Sequence, residues 1–206
     1  VGKSKFHVRN SFQFFGDING LEIPDGFEII SLDVVSMYTN INCDLAIECV
    51  CDRWDEIKNH CSIPKDDFLY MLKVCISSTV FQFEEKFYQQ VEGLAMGGSV
   101  SAVLANLVME NFEISLNNES QYTIYIYRRY VDDLFLVVHH NDTQNLFAFF
   151  NSWCPFIQFT LELECENRLN FLDMTVVRED NKLFCKWYQK PTASGRYLNY
   201  LSVQPA

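Results

Sequence analysis

Apolar positions along this chain follow two rhythms. Phe27 to Leu32 and Leu134 to Val138 are short continuous runs rich in strand-forming residues, bounded by polar positions, and they predict buried β-strands. Segments 43–57, 65–76, 100–116 and 142–153 instead space their apolar residues as one face of a helix. The first follows Asn42 as a cap, the second has Pro64 at its first turn, and the third has Ser99 or Ser101 as a cap. "VFQFEEKFYQQ" (80–90) places aromatics on both sides of Glu84-Glu85, a hairpin pattern, and "GLAMGGS" (93–99) reads as a glycine-rich loop. Further strands are predicted over 156–164 and 168–179, the latter pairing with 181–191 across an "EDNK" turn. The order is strand, two helices, hairpin, helix, hairpin, helix, strands, without repeats or long linkers. That order predicts an α+β fold with helices packed on one face of a largely antiparallel sheet.

One stretch does not fit a simple strand. "YRRYVDDLFLV" (127–137) sets Asp132 and Asp133 between strand-forming flanks, where an ionised carboxylate without a partner is costly. A hairpin tip there accounts for them as polar turn residues. Asp33 raises the same issue at the end of the Phe27–Leu32 run. If the two strands are neighbours, three carboxylates converge at one rim of the sheet and each raises the others' pKa. A divalent cation relieves that repulsion. Hard oxygen ligands in small number suit Mg²⁺, which completes its shell with water and substrate phosphates. Two such ions would clamp the attacking and leaving oxygens of a phosphoryl transfer.

Composition narrows the setting. Of 206 residues, 49% are hydrophobic and 15% aromatic, enough for one well-buried domain with a partial second lobe. No long uncharged apolar run and no leader-like segment is found, so an intracellular protein is expected. The start at Val1 and the end after "LSVQPA" suggest a fragment of a longer protein. Eight cysteines lack both a CxxC pair and a compact disulfide framework and read as reduced thiols. A zinc site from Cys49, Cys51, His60 and Cys61 is an alternative of unconventional spacing. The net charge of −11 argues against a polyanionic partner, but residues 168–206 carry six basic side chains against three acidic ones. An acidic body that gathers cations and a basic end that meets phosphates would give this distribution, as would an ordinary solvated face.

"SLDVVSMYTNI", "GLAMGGSVSAVLAN", "YRRYVDDLFLV" and "LNFLDMTV" resemble, in order, the palm motifs A, B, C and E of reverse transcriptases. Their details are similar to those of Penelope-like retroelements, as is "QKPTASGRYLNYLS" beyond, and the resemblance runs from about residue 10 to about residue 200. It implies a polymerase palm with a remnant of fingers over residues 1–165, then a primer-grip hairpin and the start of the thumb over 166–206. Fingers strands would lie upstream, with most of the thumb and a GIY-YIG endonuclease downstream. It implies a nuclear retrotransposon protein, serving DNA integration, that extends a DNA primer on an RNA template with dNTPs and two Mg²⁺ ions. Telomerase-like activity shares these motifs.

The resemblance also implies residue roles. Asp33 and Asp132 would be the metal-binding catalytic pair, Asp133 the supporting acid, and the Val34 carbonyl a further ligand. Tyr38 would lie under the incoming sugar, where a ring excludes a 2′-hydroxyl, and Met96 and Gly97 would line the nucleotide pocket. Tyr130, Phe171, Leu172, Asp173 and Lys190 would contact primer or template. Two departures stand out: Gly98-Ser99 replaces the usual Ser-Pro after "MG", which would loosen that loop, and no general-acid lysine is evident in "LELECENR". Two other readings follow from the residues: an element-derived nucleic-acid-binding protein without polymerase activity, and an unrelated metal-binding α+β domain.

Overall fold

The computed structural model describes residues 4–190 and Thr192; Arg196 and most of the expected start of the thumb lie outside them. The chain opens with a helix that its apolar pattern had not marked, α1 (Ser11–Ile18), where the Asn10 side chain accepts the Gln13 N–H at 2.9 Å. Strand β1 (Phe27–Val34) ends in a tight turn at Ser36, which has φ 45, and leads into α2 (Met37–Asn40). Asn42 caps α3 (Cys43–Asp52) as expected, accepting the Leu45 N–H at 2.8 Å. The helix predicted through residue 57 breaks at Arg53, whose guanidinium is held by Glu56 and Glu110, and resumes as α4 (Trp54–Ile57). After Pro64 comes α5 (Lys65–Ser77).

Strands β2 (Val80–Phe83) and β3 (Lys86–Gln89) form the expected hairpin, with Glu84 and Glu85 both at positive φ in its two-residue turn, and every residue of the two strands is exposed. Helix α6 (Ser101–Glu119) has no serine cap. Its entry is fixed by backbone instead, Gly98 N–H to the Ala95 carbonyl at 3.0 Å and Ser101 N–H to the Gly98 carbonyl at 3.2 Å. There follow β4 (Ile124–Tyr130), β5 (Asp133–His139), α7 (Thr143–Ser152), β6 (Phe159–Leu163), β7 (Arg168–Phe171), β8 (Met174–Glu179) and β9 (Lys182–Trp187). The single strand expected over 168–179 is two, because the chain reverses at Leu172 (φ 53) and Asp173.

Four strands make the central sheet in the order β4-β5-β1-β6, antiparallel throughout, and β7-β8-β9 make a second antiparallel sheet. The apolar residues on both faces of β1 and β5 have a physical reason: both faces are covered. Ile30, Leu32, Val34, Leu134, Leu136 and Val138 pack into a core that includes Ala46, Val50, Leu104, Val108, Phe112 and Phe150 from α3, α6 and α7. Ile29, Phe135 and Val137 face the other way, onto Phe14 and Ile18 of α1 and Leu169, Phe171, Val176 and Leu183 of the second sheet. Helices therefore do not all lie on one face. Burying each large apolar side chain contributes about 1.5–3 kcal/mol relative to exposure, so the second layer is a substantial part of what holds the sheet's functional end in place.

Three of the six basic side chains of the 168–206 end are paired with acidic ones. Arg178 pairs with Glu164, Lys182 with Glu22 at 2.9 Å and Lys186 with Glu179 at 3.7 Å. All eight cysteines are free thiols. Among the described residues no helix is long and apolar enough to cross a membrane.

Candidate active site

Antiparallel pairing of β1 with β5 sets Asp33 directly opposite Asp133, although about a hundred residues separate them in sequence. Strand alternation puts both on the face that carries Ile29, Phe135 and Val137. Across the β4–β5 hairpin Tyr130 pairs with Asp133, so the two-residue turn is Val131-Asp132, not the Asp132-Asp133 tip expected from sequence. Asp133 is instead the first residue of the strand.

The electrostatics follow from this packing. Burial first, then Asp132 and Asp33, push the Asp133 carboxyl up to about 6, with Lys190 pulling the other way. Asp33 is raised by burial and by Asp132, against a Val34 N–H donated to its carboxylate. No ion pair among the described residues involves Asp33, Asp132 or Asp133. Among those residues no group of three or more His, Cys, Asp or Glu side chains forms a ready metal site. That removes the zinc alternative, and Cys49, buried and pushed up to about 12, remains a thiol. Mg²⁺ asks for less: one or two carboxylates suffice when substrate phosphates complete its shell. Asp33 with Asp132, two hard oxygen donors near enough for Asp132 to raise the Asp33 carboxyl, fits that demand. The Val34 side chain is buried in the helix-side core, so a ligand role there falls to its carbonyl.

Beyond β1 the glycine-rich loop meets the α2 turn. Leu94 N–H donates to the Tyr38 carbonyl at 2.7 Å, while the Tyr38 ring is half-buried against the helix-side core. Gly93 makes this approach possible: its φ is +76, and a Cβ there would lie 2.6 Å from the Thr39 carbonyl oxygen. Gly93→Ala should therefore destabilise the fold by about 1–3 kcal/mol through strain and clash together, read as a lowered melting temperature; an unchanged melting curve would mean the loop and the turn are not in contact. Met96 is exposed, and Gly97, at φ +90, has open space about it. Gly98 does not loosen the loop. Its turn is hydrogen-bonded, and a Cβ on it would fall 2.5 Å from the Ser101 hydroxyl.

A cleft of about 410 Å³ lies between the central sheet and the β7–β8 hairpin, lined by Asp33, Asp133, Thr160, Leu172, Tyr188 and Lys190 among others. Phe171 borders it but is only 4% exposed, its ring tilted against Phe14 with centroids 4.7 Å apart, so it is a core residue and the wall of the cleft rather than a free primer contact. Asp173 accepts the Ser11 hydroxyl at 2.5 Å and so fastens the hairpin turn to the start of α1. Tyr130 is half-buried beside Leu172 and Phe135 in the second core.

Sequence reading passed over Arg129. It is the largest fully buried side chain of the described structure, paired with Glu113 of α6 at 2.6 Å. Its Nη1 donates to the Val131 carbonyl at 3.0 Å, in the turn that carries Asp132. Val131 has φ 57, a region that costs a β-branched residue about 1–3 kcal/mol. The available signal was an arginine on the strand face that otherwise alternates apolar residues toward the helices.

No protein-family model and no curated protein matches the chain. Solved structures do. Apo telomerase from Candida tropicalis superposes with a TM-score of 0.65 at 12% identity, over 89% of this chain and 37% of its own; a form truncated at its C-terminal domain gives 0.62 at 16%, over 89% and 41%. The RNA-dependent RNA polymerase of BmCPV in its elongation state gives 0.53 at 14%, over 82% and 18%. The chain spans less than half the length of each. At such identities the likeness is one of fold: this chain has the α+β, antiparallel-sheet architecture found in the palm of telomerase and of viral RNA-dependent polymerases.

Proposed function

We propose that this chain is the palm of an RNA-directed DNA polymerase of the Penelope-like type, with residues 1–165 as palm and finger remnant and 166–206 as primer grip and start of the thumb. One observation carries the reading: Asp33 faces Asp133 across β1 and β5 while Asp132 occupies the adjoining turn, three carboxylates at one rim with no ion pair among the described residues. The substrates would be an RNA template, a DNA primer and dNTPs. Asp33, Asp132 and the Val34 carbonyl would hold two Mg²⁺ ions, with Asp133 in support, and when bound the ions would neutralise charge on the attacking and leaving oxygens. The primer 3′-hydroxyl would then displace pyrophosphate from the α-phosphate of the dNTP.

The remaining residues position and select. Tyr38 would form the floor of the sugar site, Met96 and Gly97 the wall beside the base, and Leu172 the contact to the primer end, with Lys190 offering the cleft a cation for the backbone. Asp133, raised by burial and by its carboxylate neighbours, would be held more fully ionised as positive charge arrives. Copying an element into chromosomal DNA would place the protein in the nucleus. The testing experiment is extension of a DNA primer on an RNA template by the full-length protein with Mg²⁺ and four dNTPs. Template-directed extension is expected. Tight binding of the duplex without incorporation would replace this reading with that of a non-catalytic nucleic-acid-binding protein.

A further inference from the structure

A buried arginine needs a reason to be retained, because a well-packed apolar side chain in its place is often no less stable. Arg129 uses its donors in a specific way. Nε and Nη2 address the Glu113 carboxylate at 2.6 and 3.5 Å, and Nη1 is shared between the Asn106 side-chain oxygen at 2.8 Å and the Val131 carbonyl at 3.0 Å. The arginine's own backbone is fixed too: its N–H donates to the Phe6 carbonyl and its carbonyl accepts the Val8 N–H, both at 2.8 Å. The guanidinium plane is thus held on one side by α6, and its free edge meets the one residue of the hairpin turn that is in an unfavourable backbone conformation.

Left to itself, a turn with valine at φ 57 would relax, and Asp132 is its next residue. Asn106 also donates to Glu110 at 3.3 Å, and Glu110 is paired with Arg53, so the anchor extends along α6 to the end of α3. Helix α6 begins directly after the Leu94–Gly98 loop. We infer that Arg129 is a positioning residue: by holding the Val131 carbonyl against α6 it keeps the Val131-Asp132 turn in its left-handed form and so fixes the Asp132 carboxylate relative to Asp33. This rests on the polymerase reading and adds to it the device that shapes the site.

A double-mutant cycle tests this, because glycine at 131 adopts positive φ without help. Arg129→Met is made together with Glu113→Gln, so that no unpaired buried charge remains, with and without Val131→Gly. Mn²⁺ affinity of the full-length protein is measured by electron paramagnetic resonance, beside single-nucleotide incorporation and melting curves. The Arg129 variant should weaken Mn²⁺ binding about tenfold, and Val131→Gly should recover a factor of at least about three of that loss. Asn106→Ala, which leaves the ion pair intact, should shift Mn²⁺ affinity in the same direction by a smaller factor, and it carries the test if the charge-removing variant does not fold. Strictly additive effects, or a lowered melting temperature with unchanged Mn²⁺ affinity, would reduce Arg129 to a structural ion pair. A wild-type protein that incorporates nucleotide while the cycle is additive overturns this inference alone; one that neither binds Mn²⁺ nor incorporates overturns the polymerase reading and this inference with it.

Discussion

Asp132→Asn should abolish primer extension while leaving duplex binding and the fold intact. The amide keeps the size and much of the polarity of the carboxylate at a turn position that is only half-buried, so packing is undisturbed. What it loses is the negative charge that would hold a cation between primer and nucleotide. Losing several kcal/mol of transition-state stabilisation corresponds to a fall in rate on the order of a thousandfold or more. The melting temperature should stay level or rise, because Asp132 raises the pKa of both Asp33 and Asp133 and its removal relieves that repulsion. The pairing of lost activity with undiminished stability separates a catalytic ligand from a turn residue. Persistent extension by the variant in single-turnover kinetics would strip Asp132 of its role, and a marked drop in melting temperature would make it structural.

The second large effect concerns the sugar. Tyr38→Ala should raise the ratio of ribonucleotide to deoxyribonucleotide incorporation by about a hundredfold, because a ring under the sugar excludes the 2′-hydroxyl by overlap and its removal opens that space. The hydrogen bond that joins the loop to this turn should survive, since Leu94 donates to the backbone carbonyl of Tyr38, which the substitution keeps. If the ring serves only the core against which it is half-buried, truncation would depress both sugars equally and lower the melting temperature, with a stability loss of up to about 3–5 kcal/mol for a fully buried aromatic. Competitive incorporation assays beside a melting curve distinguish the two, and an unaltered ratio would take Tyr38 out of the nucleotide site.

What could be read from the chain was what depends on local chemistry. The Phe27–Leu32 and Leu134–Val138 runs are apolar on both faces, which strands buried on both sides require, and the Glu84-Glu85 and Asn42 signals act within a few residues of themselves. The pairing of Asp33 with the 132–133 region was legible only as a condition, that the two strands be neighbours, and the β1–β5 register meets it. Less was legible wherever a distant partner decides. The break at Arg53 depends on Glu110, the reversal at Leu172-Asp173 is fastened by Ser11, and the buried position of Phe171 depends on Phe14, on a helix of only eight residues that was not among those predicted. Arg129 was passed over for the same reason: its place on an apolar strand face hints at burial but not at its partners. Its meaning lies in Glu113, Asn106 and Val131 together, and no spacing in the sequence announces that set.

The long reach of the β1–β5 pairing also governs how the molecule comes into being. Strand β1 has no neighbour in the central sheet until residues 133–139 are available, and its other edge waits for 159–163. Closing loops of about a hundred residues is slow, and proteins dominated by such non-local contacts fold in milliseconds to seconds rather than microseconds. On a ribosome adding about 5–20 residues per second, β1 would spend several seconds as an unpaired apolar strand. The local elements between, α3, α5 and the β2–β3 hairpin, can form in that interval, but the acidic rim cannot. On the polymerase reading, affinity for a divalent cation would arise only once β5 has paired with β1, so that a chain stopped short of β5 would carry no competent site.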